Sequence, residues 1–167
     1  SRKSKKEGSN KTPTDFYSKY KLVAEQKYIK SNINFAIIRL GNIYNGKKNW
    51  IGQILLDSFR NRKKIYLTNK NAFRNYIHIN DMINIFIRMM KNKLKFRIYN
   101  LGYENIRLID LIKGLEKKLN FSIEYSDKQL DLKKIPSQKI DTKRVFSEFR
   151  YKPKIKLLDY LVKKISL

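Results

Sequence analysis

Phe16-Tyr17-Ser18-Lys19-Tyr20-Lys21-Leu22-Val23-Ala24-Glu25-Gln26, followed by Asn34-Phe35-Ala36-Ile37-Ile38-Arg39-Leu40, decides how this chain is read. The first stretch opens a helix. Thr14 or Asp15 can cap it, and Leu22, Val23 and Ala24 have good to fair helix propensity, so the helix is predicted to run to about Ser31. The second is a continuous apolar run of strand length, the pattern of a strand buried on both faces of a parallel sheet. A helix followed by such a strand is half of a βαβ unit, which predicts an α/β fold. Tyr17 and Lys21 stand four residues apart, so a helix places them on one face, one above the other. An ammonium stabilises a neighbouring phenolate, which lets such a pair exchange a proton with a hydroxyl. The spacing alone is not specific. It recurs at Tyr44–Lys48, Tyr66–Lys70 and Tyr160–Lys164, and only Tyr17–Lys21 has an apolar helix behind it and a strand pattern shortly after.

Outward from this centre, Ser1 to Thr14 is charged and polar with Gly8, Ser9, Asn10 and Pro13, and is read as an exposed, mobile loop. Gly41-Asn42-Ile43-Tyr44-Asn45-Gly46 follows the predicted strand and is read as a loop. Ligands of open α/β sheets sit beyond the carboxyl ends of strands, and Asn42 offers both a donor and an acceptor there. Trp50 to Arg62 reads as an amphipathic helix with Ile51, Ile54, Leu55 and Phe59 on one side, and Lys63 to Thr68 as a short strand. Tyr76, Ile77 and Ile79 suggest another strand, after which Asn80 or Asp81 caps an apolar helix over Met82 to Met90. Arg74, just before that strand, is of the type that binds an anion bidentately. His78 reads as a hydrogen-bonded structural histidine. Phe96 to Leu101 is a strand candidate, then a helix runs from about Arg107 to Asn120. Phe121 to Tyr125 is a last strand candidate, and Ser126 to Lys139 is irregular around Pro136. Asp141 or Thr142 caps a short helix through Phe149, Pro153 interrupts, and Leu157 to Ile165 is a terminal helix. The strands are too few for a complete doubly wound sheet.

Composition excludes several chemistries. Cysteine is absent from the 167 residues, so disulfides and thiolate metal sites are excluded, and a single histidine argues against a histidine-based zinc site; no metal is expected. No apolar run approaches the roughly 20 residues that span a bilayer, and Ser1 to Lys11 has no apolar core of a secretory signal, so the default setting is cytoplasmic, without membrane association. The 39 Lys and Arg against 14 Asp and Glu give a formal charge of +25. A basic nucleic-acid-binding module is therefore one alternative. The basic residues are scattered through every segment, and the joint richness in Lys, Asn, Ile and Tyr fits an AT-rich genome. Coding bias or an anionic small ligand explains the charge better than nucleic acid does.

The order of motifs resembles the C-terminal half of an extended short-chain dehydrogenase/reductase, in the NAD-dependent epimerase/dehydratase family that modifies nucleotide sugars. Tyr17, Lys21 and Glu25 match that family's Tyr-x-x-x-Lys-x-x-x-Glu helix, with Pro13 upstream. Arg39-Leu40-Gly41-Asn42-Ile43-Tyr44 resembles its Arg-x-x-Asn-x-Tyr-Gly strand and loop. Arg74-Asn75-Tyr76-Ile77-His78-Ile79-Asn80-Asp81 is similar to its Arg-Asp-[Phe/Tyr]-Ile-His-Val-x-Asp segment. Tyr99-Asn100-Leu101-Gly102 resembles Tyr-Asn-[Val/Leu]-Gly, and Asp141 to Pro153 resembles the closing pattern that ends in [Trp/Tyr]-x-Pro. The sequence departs from the family at Tyr20, Asn45 and Asn75. The family's Gly-x-x-Gly-x-x-Gly turn is absent, and the serine or threonine that precedes the tyrosine would fall before Ser1. Both absences fit a chain whose N-terminal half is missing.

The resemblance implies a fold, an activity and a site. The fold would be the C-terminal part of an NAD(P)-binding Rossmann-like fold, over 15–45 and 73–102, with a small α/β substrate-binding subdomain over 46–72 and 103–167. The activity would be NAD(P)-dependent epimerisation, dehydration or reduction of a nucleotide sugar, with NAD or NADP as cofactor and a homodimer as the expected assembly. Tyr17 would be the acid/base. Lys21 would hold the nicotinamide ribose, Asn42 would contact the substrate, and Arg74 its diphosphate. A non-catalytic remnant of the same family is the other alternative.

Overall fold

The computed structural model describes residues 4–10, 12–13, 15–45, 51–67, 69–127 and 137–167. Helix α1 (Phe16–Lys30) starts where Asp15 sits in extended backbone and its carboxylate accepts the Ser18 amide at 2.6 Å, satisfying one of the first-turn N–H groups that a helix leaves open. Ser31 ends it, again in extended backbone. Then come β1 (Ile37–Leu40), β2 (Asn42–Tyr44), α2 (Ile51–Arg60), β3 (Ile65–Leu67), β4 (Phe73–His78), α3 (Ile79–Lys91), β5 (Ile98–Leu101) and β6 (Glu104–Arg107). Helix α4 (Leu108–Leu119), β7 (Tyr125–Asp127), α5 (Lys143–Glu148) and α6 (Leu157–Ile165) complete the order. Thr14, Gly46, Lys48, Trp50, Thr68 and Pro136, all singled out above, lie outside the described residues.

Among the described residues three small sheets form. β1 pairs with β5 in parallel, with Ile37 opposite Ile98 and Leu40 opposite Leu101. β4 is central to the second, parallel to β2 and antiparallel to β6. β3 pairs with β7 in parallel. Successive side chains of a strand point to opposite faces, and β4 uses this to separate two cores. Tyr76 joins a core built from α2, α4 and α6 with Leu55, Phe59, Leu115 and Leu161. Ile77, its neighbour, joins a second core with Ile85, Met89, Tyr99, Leu101, Val145 and Phe149.

Asp81 joins the two halves. It is buried, and its carboxylate accepts from the Tyr151 hydroxyl at 2.5 Å, from the Lys154 amide at 3.1 Å and from the Ile155 amide at 3.0 Å. Tyr44 reinforces this join by donating its hydroxyl to the Ile155 carbonyl at 2.7 Å.

Several local expectations change. Asn80 and Asp81 do not cap α3; His78 does, its Nδ1 accepting the Asn80 amide at 3.1 Å, which leaves Asp81 inside the first turn. The stretch after Gly41 is a strand, β2, because β4 supplies its hydrogen bonds. β6 has no strand pattern of its own and exists because β4 pairs with it. Residues 121–124 form no strand, since the amides of Phe121 and Ile123 donate to Glu116 at the end of α4. Ile54 is exposed and Leu56 is buried on α2. β1 is half-buried rather than buried on both faces, because β5 is its one strand neighbour among the described residues and α1 buries none of its own. The first segment is not free of the body. Lys5 bridges to Ile140, and Glu7 is buried.

Candidate active site

Tyr17 and Lys21 share one row of α1, with the Lys21 Nζ 5.4 Å from the Tyr17 ring centroid. Tyr17 is 72% exposed, so the phenol is open to a ligand rather than packed away. The helix opens Phe16, Tyr20, Val23 and Ile29 to the surface as well. Half-buried Ser18, Leu22 and Glu25 form the narrow face turned toward the rest of the chain.

Asn42 and Arg74 stand on the paired strands β2 and β4. Asn42 lies opposite Tyr76 in the β2–β4 pairing, and its amide Nδ2 donates to the Asn75 carbonyl at 2.9 Å. The residue is nonetheless exposed. Arg74 is half-buried, and its Nη1 donates to the Phe73 carbonyl at 2.9 Å. Burial lowers its pKa from the ordinary arginine value, with the nearby Tyr76 phenol acting against the shift. The Tyr76 phenol itself is pushed up to about 12 by burial. Tyr17 and Lys21 thus sit on one element, and Asn42 and Arg74 on neighbouring strands.

His78 is a structural residue, as the sequence indicated. It is buried, caps α3, and packs against Tyr44 and Tyr160 with ring centroids 5.2 and 5.4 Å away. Desolvation holds its imidazole below the ordinary histidine range, with Asp81 opposing the shift. Asn75 fills the space between two glycines at the ends of β1 and β5. A Cβ at Gly41 would lie 2.4 Å from its Oδ1, and one at Gly102 only 1.5 Å. Its Nδ2 donates to Asn105 Oδ1 at 3.1 Å, while its buried Oδ1 has no hydrogen-bond partner among the described residues.

Sequence reasoning gave no role to Glu7, placed Asn100 only within a motif, and read Asp81 as a motif residue and a candidate helix cap. Glu7 and Asn100 are polar residues in polar or short-strand contexts, and only the fold brings them together. The Glu7 Oε1 accepts the Asn100 amide at 3.1 Å, and Asn100 Nδ2 donates to the carbonyls of Lys5 and Asp141. Asp81 carried a signal, a carboxylate inside an apolar segment, but its partners are some 70 residues away in sequence. Among the described residues no group of acidic, histidine or cysteine side chains could hold a metal ion, and no helix is long and apolar enough to cross a membrane.

Comparison by sequence family decides the affiliation, since the NAD dependent epimerase/dehydratase family matches residues 2–102. The chain belongs to the NAD-dependent epimerase/dehydratase family. The match spans Tyr17, Lys21, Asn42 and Arg74, and comparison with curated proteins gave no match. Solved structures carry the likeness through the rest of the chain. MoeE5, in complex with UDP-glucuronic acid and NAD, superposes at a TM-score of 0.83 with 12% identity, over 99% of this chain and 59% of that one. The UDP-glucuronic acid 4-epimerase of Bacillus cereus, with UDP-glucuronic acid and NAD, gives 0.81 with 19% identity, over 99% and 56%. L-threonine 3-dehydrogenase of Trypanosoma brucei gives 0.78 with 15% identity, over 98% and 57%. At such identities the likeness is one of fold, the α/β Rossmann-like architecture of the epimerase family. The chain spans a little more than half the length of these structures.

Proposed function

We propose that this chain is the Tyr–Lys-bearing, substrate-side portion of an NAD(P)-dependent nucleotide-sugar epimerase or dehydratase. The observation that carries this reading is the row Tyr17–Lys21–Glu25 on an exposed helix that leads into β1, in a chain of the epimerase family. NAD in two of the superposed structures and UDP-glucuronic acid in both support the cofactor and substrate class. The donor set fits a dinucleotide. Tyr17 and Lys21 are both exposed on one face of α1, with the ammonium 5.4 Å from the Tyr17 ring centroid, so a hydroxyl acceptor and a cation are offered together to a ribose diol. When bound, NAD supplies the hydride acceptor and donor.

In this reading Tyr17 takes the proton of a sugar hydroxyl, and returns it when the sugar is reduced again. Lys21, one turn along the same face of α1, holds the ribose hydroxyls. Asn42 orients the sugar from the start of β2. Arg74 offers a planar guanidinium to diphosphate oxygens, whose charge offsets the desolvation of a half-buried cation. Residues 15–45 and 73–102 belong to the Rossmann-like part, and 46–72 and 103–167 to the substrate-binding part. The two cores support that division in the main, with α5 packed into the core of the first part and Tyr44 and Tyr76 of the first part packed into the core of the second.

The test is turnover of UDP-sugars with NAD by the polypeptide that carries this chain. Tyr17→Phe is expected to lower kcat by at least about a hundredfold, the size of a lost general acid/base, while NAD binding is retained. Arg74→Ala is expected to raise the KM for the sugar nucleotide. Undiminished turnover by Tyr17→Phe would overturn the assignment.

A further inference from the structure

Helix α1 presents an unusual attachment. Within this chain it buries no residue, and a lone helix of its length is marginal in water, so the polar contacts it makes to the rest of the chain carry much of its attachment here. At 100° per residue, Ser18, Leu22 and Glu25 form a stripe only about 60° wide, too narrow for a packed apolar seam to fix the helix about its axis. Tyr28 adds a ring contact with Phe35 at 6.1 Å near the far end.

The charged member of that stripe is held firmly. Glu25 receives two parallel hydrogen bonds from Arg39 on β1, Nε to Oε1 at 3.0 Å and Nη2 to Oε2 at 2.8 Å. The remaining edge of the same guanidinium donates through Nη1 to the Glu7 carbonyl at 2.7 Å. Glu7 is anchored in turn by the Asn100 amide on β5, at 3.1 Å, and by Arg144 Nε on α5, at 3.6 Å. The side chains of Arg39 and Glu25 are only 21% and 16% exposed, so this pair is shielded more than the surface pairs that contribute little.

We propose that Arg39 is a positioning residue, a clasp that sets the rotation of α1 and so aims Tyr17 and Lys21 at the site. The proposal rests on the reading of those two as the acid/base pair. Tyr17, Lys21 and Glu25 lie on one i, i+4 row, so fixing Glu25 fixes the row. A helix rotation of roughly 20° carries a side-chain tip by about 2 Å at the 5–6 Å radius of a helix. A misplacement of even about 1 Å can lower a rate a hundredfold.

The experiment compares backbone hydrogen exchange in α1 and α4 for the unaltered chain, Glu25→Gln, Arg39→Gln, and the swap that combines Glu25→Arg with Arg39→Glu. The single variants are expected to speed exchange across α1 about tenfold and to leave α4 unchanged, because only the element tied by the clasp opens locally. The swap is expected to regain part of the protection. In the polypeptide that carries the chain, the single variants should lower kcat for the nucleotide sugar with little change in KM. Unchanged exchange in α1, or equal acceleration in α1 and α4 without recovery in the swap, would overturn the clasp. Loosened α1 with lowered kcat supports it. If Arg39→Gln does not fold, Glu25→Gln carries the same comparison. A Tyr17→Phe variant that stays active, alongside loosened α1, overturns the acid/base reading and leaves the clasp standing.

Discussion

Replacing Asp81 by Asn should weaken the join between the two halves of the chain, and the structure sets the size of the effect. One carboxylate oxygen accepts from the Tyr151 hydroxyl at 2.5 Å and the other from the Ile155 amide at 3.0 Å, with the Lys154 amide at 3.1 Å from both. An asparagine keeps one acceptor, for the two main-chain amides, and turns the oxygen that faces Tyr151 into a donor, so the phenol proton loses its acceptor. At least one hydrogen bond to a charged acceptor is lost, about 1.5–3 kcal/mol, and a buried donor is left without a partner, about 1–3 kcal/mol more. Taken together, a loss of about 3 kcal/mol is expected, which for a domain of this size lowers Tm by about 6–12 °C. Thermal unfolding followed by circular dichroism measures it, with urea unfolding as a check that the slope of the transition is unchanged. Asp81→Ala, which leaves every donor unpaired, should lose more. A Tm for Asp81→Asn within about 2 °C of the unaltered chain would refute the view that this carboxylate ties α3 to the segment before α6.

Two further outcomes follow from the same geometry. His78 is the single histidine of the chain, and burial depresses its pKa, so the folded state holds it neutral where the unfolded state takes up a proton. Stability should therefore fall as pH drops below about 6.5. His78→Asn, which keeps a capping oxygen for the Asn80 amide, should flatten the urea midpoint between about pH 7 and pH 5.5; an unaltered slope would remove His78 as the cause. Gly102→Ala would place a Cβ 1.5 Å from Asn75 Oδ1 and should lower Tm strongly. Gly114→Ala meets the Leu158 side chain, its nearest methyl at 3.0 Å, which must give by a few tenths of an ångström, and gains up to about 1 kcal/mol of helix propensity. Equal Tm values for the two variants would show that Asn75 can leave the space between the glycines.

The sequence by itself determined the elements whose signals are local. Asp15 and Ser31 delimit α1 because capping and helix termination are decided within a turn of the chain. α6 is legible over Leu157 to Ile165 from its apolar spacing and the Pro153 break. The ordered motifs of Tyr17, Lys21, Asn42 and Arg74 were legible too, since a family's motif order survives in one dimension. Tertiary structure decided what depends on distant partners. β2 and β6 are strands because β4 lies between them, and neither has the alternation that would announce it. Residues 121–124 lose their strand because Glu116 takes two of their amides. Glu7 is buried in a segment that reads as loop, because its partners Asn100 and Arg144 are brought to it from far along the chain. The Arg39–Glu25 pair was visible as two motif residues, but their bidentate contact was not, since hydrogen-bond geometry depends on how a helix and a strand are juxtaposed. Composition and periodicity report what a residue prefers to touch, and only the folded chain determines which partner it finds.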